Sequence, residues 1–222
     1  TNPPYMGGRN MGGVISEYLD SHYICSKADL FAVFIEKCGE LSKINGFYSM
    51  ITMHSFMFLS SFEKLREQLI TDNLLSLVHL GIKAFDEIGN DVVQTVAFVF
   101  RKGLLKEYNS TFCRLVDAKD QRLKEKEFFN ENNFCISHIG DFENVPGTIF
   151  AYWVPHRFIS NFVEYKPLEK YITISPLNKT GNNEKYLRCW WEIDVNQIEK
   201  KWRFYAKGGD FRRYYGNIKI GR

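Results

Sequence analysis

The residues best placed to do chemistry stand at the start of the sequence, Asn2-Pro3-Pro4-Tyr5. An asparagine amide oxygen and a prolyl carbonyl are two acceptors, and the ring of each proline fixes φ, so their directions are set in advance. Two such acceptors suit a planar amino group, holding both N–H bonds as its nitrogen turns tetrahedral. The Tyr5 ring adds a face on which a flat ring can stack. A turn without chemical role accounts for Asn-Pro-Pro equally well on local propensity.

Other chemistries find little support. His22, His54, His79, His138 and His156 are scattered, with no H-E-x-x-H and no cysteine at ligand spacing, so no metal site is expected. No G-x-S-x-G is present. His54 follows a strand and reads as a polar strand cap. The five cysteines are an odd number without a C-x-x-C pair, which argues against a disulfide framework and for a reducing cytoplasm. No apolar run approaches the roughly 18 residues of a membrane span. With no initiating Met and a motif at residue 2, the sequence reads as a piece of something longer.

The elements that must position Asn2–Tyr5 come next. Met6 to Tyr23 is punctuated by Gly7, Gly8, Gly12 and Gly13 and reads as a mobile loop containing a short helix. Asp29 opens a helix whose Leu30, Phe31, Phe34, Ile35, Cys38 and Leu41 form an apolar face, ending at Asn45-Gly46. Phe47 to Met53 reads as a buried strand. Phe62 to Ile70 reads as a helix capped by Ser60 or Ser61, with Leu65 and Leu69 inward. Leu74 to Leu80 and Val92 to Phe100 read as strands. Phe112 to Val116 and Phe134 to Ile139 are shorter strands, Lys119 to Asn130 a solvated helix anchored by Leu123 and Phe128, and Pro155 to Tyr165 a helix with Pro near its first position. Residues 1–100 hold 7 Lys and Arg against 11 Asp and Glu, whereas residues 101–222 hold 22 against 15. From about Leu168, Trp190, Trp191, Trp202, Phe204, Tyr205, Tyr214 and Tyr215 interleave with basic residues. That composition fits phosphate contact and stacking, or a small β-rich core with a basic rim.

Taken together, Asn2 to Tyr5, the run Ser26 to Cys38, Gly46 to Met57, Ala84 to Phe100, Thr180-Gly181-Asn182-Asn183 and Lys207 to Arg212 resemble the γ-type N6-adenine DNA methyltransferases. Across essentially the whole chain they are similar to the adenine-specific methylases of BREX-type phage-defence systems, the Pgl methylases. The resemblance implies an α/β fold: the C-terminal part of a Rossmann-like class I methyltransferase sheet, with its last strand antiparallel between the two before it. An α+β bridge and the start of a target-recognition domain would follow. The implied divisions are 1–104 for half of the catalytic domain, 105–167 for the bridge and 168–222 for DNA recognition.

The resemblance also implies roles. Asn2 and Pro3 would hold the target amine within the Asn2-Pro3-Pro4-Tyr5 loop, and Tyr5 and Phe85 would sandwich the extruded base. Asn2 and Phe34 would touch the donor S-adenosylmethionine, although helical spacing by itself places Phe34 in the core. Lys201, Arg203, Lys207, Arg212 and Arg213 would contact DNA. Double-stranded DNA and other defence-system subunits are the expected partners, with no membrane. In this family's order the Gly-rich turn that binds the donor precedes the Asn-Pro-Pro-Tyr loop, so this stretch is expected neither to hold the donor tightly nor to turn over by itself. Two rival readings stay open, a DNA-binding piece without catalysis and a methyltransferase acting on a protein glutamine amide.

Overall fold

The computed structural model describes residues 1–85, 93–105, 107–173, 181–205 and 220–221, and the chain divides into two compact units, Thr1–Pro167 and Leu168–Arg222.

In the first unit, strict alternation puts Tyr48, Met50 and Thr52 of β1 (Phe47–Met53) on a buried face and Phe47 and Ser49 outside. β2 (Asn73–Gly81) and β3 (Thr95–Arg101) do the same with Leu77 and His79, and with Val96, Phe98 and Phe100. Helices α2 (Leu30–Leu41) and α3 (Glu63–Leu69) contribute Phe31, Ile35, Leu65 and Leu69 to that core. Each buried aromatic or aliphatic side chain there contributes about 1.5–3 kcal/mol.

The five-stranded sheet runs β1-β3-β2-β4-β5, with β4 at Asn109–Arg114 and β5 at Phe134–His138. β3 lies antiparallel between β1 and β2, as expected of this fold. β4 then pairs in parallel with β2, and β5 antiparallel with β4. Residues 105–167 thus extend the same sheet and close the same unit, through α4 (Gln121–Glu127) and α5 (His156–Glu164).

Several local expectations are corrected. The helix expected within Met6 to Tyr23 is ten residues long, α1 (Gly13–His22), and its Leu19 packs with Tyr23 and Val33. α2 stops at Leu41, and Asn45 takes its positive φ of 68° in the following turn rather than as the helix cap. The inward side of α2 is Phe31, Ala32, Ile35 and Gly39, leaving Leu41 exposed and Phe34 37% exposed. A short 3-10 turn, Ser60–Phe62, leads into α3, and no side chain caps it. The main buried anchor of α4 is Lys124, whose ammonium donates to the carbonyls of Leu115 (3.0 Å) and Ala118 (2.7 Å) while its stem packs. Pro155 is the N-cap of α5 and not its first residue.

Arg66 of α3 is 0% exposed. Its guanidinium donates to the carbonyls of Phe56 (2.8 Å), Leu59 (2.7 Å) and Gly147 (2.6 and 2.9 Å). Gly147, at φ 75°, brings its carbonyl there in a conformation that disfavours other residues. One buried cation therefore ties the turn after β1 to the segment before α5.

The second unit is described through a short helix, α6 (Asn183–Tyr186), and a three-stranded sheet ordered β6-β8-β7, with β6 at Arg188–Cys189, β7 at Phe204–Tyr205 and β8 at Ile220–Gly221. Trp190, Trp191 and Phe204 are exposed, while Ile193 is buried.

Candidate active-site edge

The Asn2–Tyr5 loop is built outward from the sheet. Thr1 donates its nitrogen to the Ser49 carbonyl (2.9 Å) and accepts from the Ile51 N–H (3.0 Å), a parallel pairing alongside β1. Asn2 to Tyr5 therefore leave that pairing toward the C-terminal ends of the parallel strands, the edge where open α/β sheets bind ligands.

Beyond the loop, a clamp fixes the exit. The Leu30 N–H donates to the Met6 carbonyl and the Gly8 N–H to the Ala28 carbonyl, each at 3.0 Å. Asp29 caps α2 by accepting from the Phe31 N–H (3.3 Å), and the same oxygen accepts from the Met6 N–H (3.0 Å). Asp29 is thus more than a helix-start charge, because it also holds the chain leaving Tyr5. Behind the clamp, buried Ser26 donates to the Glu36 carboxylate at 2.5 Å.

Within the loop, the Tyr5 hydroxyl donates toward Asn2 Oδ1 (3.1 Å) and the Ile51 carbonyl (3.4 Å). The Asn2 amide oxygen is thereby aimed before any ligand arrives, with a second lone pair still available. Burial raises the Tyr5 pKa above its ordinary value, so its hydroxyl keeps the proton this contact needs. The Tyr5 ring stands edge-on to Phe31 (centroids 6.1 Å, 83°), which in turn packs on Phe62. Pro3 is buried and Pro4 exposed.

The remaining expected residues divide three ways. Phe34 lies on α2 but turns its ring partly to solvent, where a helical core residue would not be. Phe85 follows β2, half-buried, past a bend made by Gly81 at φ 70°, where a Cβ would come within 3.0 Å of Val116 Cα. No ring contact joins Phe85 to Tyr5 among the described residues. In the second unit Lys201 and Arg203 are exposed, Arg203 meeting the Glu199 carboxylate, while Lys207, Arg212 and Arg213 lie outside the described residues.

One group escaped sequence reading. His54, just beyond β1, brings Nδ1 to 2.8 Å from Nε2 of His79 on β2, and His79 Nδ1 lies 2.9 Å from the Tyr152 hydroxyl. Tyr152 stacks flat on Phe112 (4.7 Å, 4°). Sequence spacing could not show this, since residues 54, 79 and 152 meet only through the sheet.

Burial above all, then neighbouring His54, Arg114 and Lys124, lowers the His79 pKa to about 4. Burial also lowers that of His54. The unfolded imidazole of His79 binds its proton near pH 6.5, so between there and about pH 4 the unfolded chain holds more protons. Stability present at pH 7 is therefore lost as pH falls, by about 3 kcal/mol for this group. Urea unfolding at pH 7 and pH 4.5 should show a steeper loss for the wild type than for His79→Gln, and equal losses would contradict this assignment.

Among the described residues there is no group of three or more His, Cys, Asp or Glu that could hold a metal ion, and no helix is long and apolar enough to cross a membrane. All five cysteines are free thiols.

Residues 1–85 match the Eco57I restriction-modification methylase family. The chain is 39% identical to the adenine-specific methyltransferase PglX of Lacticaseibacillus casei, over 98% of this chain and 20% of that protein. It is 36% identical to the adenine-specific methyltransferase BrxX of Escherichia coli O9:H4, over 97% and 18%. It thus spans about a fifth of the length of the curated relatives it matches. A modification subunit of a putative type I restriction enzyme from Vibrio vulnificus is similar in structure, with a TM-score of 0.46 at 15% identity over 64% of this chain and 33% of that one.

Proposed function

From the match of residues 1–85 to the Eco57I restriction-modification methylase family and the likeness to PglX and BrxX, we propose that the chain forms the target-base side of an N6-adenine DNA methyltransferase acting in phage defence. The observation that carries this reading is Asn2 Oδ1, aimed by the Tyr5 hydroxyl at 3.1 Å, on a loop held between Thr1 and Asp29 at the ligand edge of the sheet.

The chemistry asks for this arrangement. The exocyclic amine of adenine is a weak nucleophile, because its lone pair is delocalised into the ring. Asn2 Oδ1 and the Pro3 carbonyl accept its two N–H groups, and they bind best once the nitrogen is tetrahedral. The amine is out of reach inside a duplex, so the base must be extruded, and Tyr5 and Phe85 offer faces to replace its lost stacking. When bound, S-adenosylmethionine supplies the methyl group as an electrophile. On this chain the partly exposed Phe34 ring suits the donor's flat adenine, and the exposed Asn2 amide would stand between donor and target.

Residues 1–104 and the strands of 105–167 form the catalytic side in this reading, and 168–222 begin a domain that reads double-stranded DNA. Lys201, Arg203, Lys207, Arg212 and Arg213 are its phosphate contacts, and other defence subunits are further partners. The free thiols suit a reducing cytoplasm. Replacing Lys201 and Arg203 together by Glu should weaken DNA binding across all sequences and flatten the salt dependence by about two in log–log slope. Unchanged affinity at low salt would remove these two residues from the interface.

The experiment that tests the function follows a labelled methyl group. The intact methylase is given DNA and a cell extract rich in protein, and the products are digested and separated. Label in N6-methyladenine is the expected result. Label in methylglutamine, or in cytosine, would overturn the assignment.

A further inference from the structure

We propose that His54 donates its Nε2–H to a ring nitrogen, N1 or N7, of the extruded purine, and that the His54–His79–Tyr152 chain fixes the direction of that hydrogen bond. The proposal rests on the reading of the Asn2–Tyr5 loop given above.

The proton positions follow from what the buried groups need. In one arrangement Tyr152 O–H donates to His79 Nδ1, His79 Nε2–H donates to His54 Nδ1, and His54 carries its own proton on Nε2. In the reverse arrangement His54 donates inward, and the Tyr152 hydroxyl proton needs another acceptor. Tyr152 is buried, and its hydroxyl makes no other hydrogen bond among the described residues. An unsatisfied buried donor is costly, so the first arrangement wins. His54 Nε2 has no partner among the described residues, and its ring is half-buried, braced edge-on by Phe58 at 4.8 Å. The result is a rigid, neutral N–H with nothing yet to donate to.

Its place decides what it meets. Across the sheet edge the order is the Thr1 pairing, β1, β3 and β2. His54 ends β1, about 4.8 Å from the strand line that leads into Asn2–Tyr5 and about 10 Å from β2, which leads to Phe85. The His54 N–H donates to the Gln94 carbonyl (3.0 Å), anchoring this end of β1 to the start of β3. In strand order it therefore lies between the line that leads into Asn2–Tyr5 and the strand that leads to Phe85, with its ring against His79 and Phe58. The acceptors that would hold N6 leave N1 and N7, the purine acceptor nitrogens on either side of the amine, without a protein donor.

Neutrality suits the reaction. A hydrogen bond from a neutral imidazole orients the ring, whereas an imidazolium would draw density from the amine that must attack. Burial of both histidines, and the cations Arg114 and Lys124 near His79, favour the neutral pair. Toward His79 and Tyr152 the nearby ionisable groups are Arg114, Asp117, Lys124, Cys113 and Cys135.

The test uses the intact methylase in single turnover on duplexes whose target adenine is replaced by 1-deazaadenine or 7-deazaadenine. One of the two should slow the wild type about tenfold. With His54→Phe the same analogue should change the rate less than about twofold relative to adenine, because the lost donor and lost acceptor are one interaction. His54→Gln, whose amide N–H can stand near Nε2, should recover most of the rate and keep the analogue effect. The proposal is overturned if both analogues slow the wild type and His54→Phe alike, or if neither slows the wild type. Imidazole ¹⁵N shifts of the protein at pH 7 give a second readout, where Nε2–H on His54 is expected and Nδ1–H would contradict the chain. Failure of the wild type on unmodified adenine would count against the functional reading and leave this readout to decide the chain.

Discussion

Asn2→Ala is expected to slow methyl transfer by the intact enzyme about a hundredfold to a thousandfold at saturating donor, the range found when one preorganised polar contact to a transition state is removed. The loss should fall on the chemical step, with donor affinity changed little, because the amide oxygen strengthens its hold only as N6 becomes tetrahedral. In the proposed reading Tyr5 would act in two ways, and its variants separate them. Tyr5→Ala removes the ring as well as the hydroxyl, and base–aromatic stacking of about 1–3 kcal/mol translates to roughly tenfold to a hundredfold. Tyr5→Phe keeps the ring but releases Asn2 Oδ1 from its 3.1 Å contact, so a loss of only about threefold to tenfold is expected. Rapid-quench single turnover gives the order directly. A Tyr5→Phe rate below that of Tyr5→Ala would mean that the ring is not what the base meets.

The second large effect is on folding. Replacing a buried ion by an apolar residue of similar size is sometimes neutral or stabilising, because the desolvation penalty disappears with the charge. Arg66→Met should behave differently. The partners of Arg66 are the Phe56, Leu59 and Gly147 carbonyls, and these stay buried when the guanidinium leaves. Each orphaned acceptor costs about 1–3 kcal/mol, which exceeds the relief, for a net loss of about 3–5 kcal/mol. Arg66→Lys should recover only part, since an ammonium lacks the planar fork that reaches three carbonyls at once. Urea unfolding of the protein carrying each substitution measures this. A Met variant as stable as the wild type would show that the carbonyls find other partners. The turn that Arg66 holds begins at His54, so the loss should also loosen the end of β1 that carries His54.

Much of the fold was legible because its signals are local. The largely apolar run Phe47–Met53 marked β1 to the residue, and the β-branched run after Val92 marked β3 near its observed start at Thr95. The position of β3 between β1 and β2 came from resemblance and not from pattern, since strand order depends on residues far apart in sequence. Misreadings arose where a polar group satisfied itself through distant backbone. Lys124 falls in the helix read as solvated, yet it ends on the carbonyls of Leu115 and Ala118; Arg66, which sequence did not single out, likewise ends on carbonyls of other segments. The α2 face was rotated because Leu19 of α1 and Tyr23 just after it pack on Val33, leaving Phe34 outward. In the candidate site, Asn2, Pro3 and Tyr5 were visible because they are contiguous. Their aiming by the Tyr5 hydroxyl, and the His54–His79–Tyr152 chain, were not, because both depend on the pairing of β1 with its neighbours.

The central claim is that the Asn2–Tyr5 loop receives an extruded adenine, and a structure of the intact protein with its DNA site and a non-reactive donor analogue tests it most directly. The target base is expected outside the duplex, stacked against Tyr5, with N6 at about 2.7–3.2 Å from both Asn2 Oδ1 and the Pro3 carbonyl. A target adenine still paired in the duplex, or extruded to a site where neither oxygen reaches N6, would contradict it.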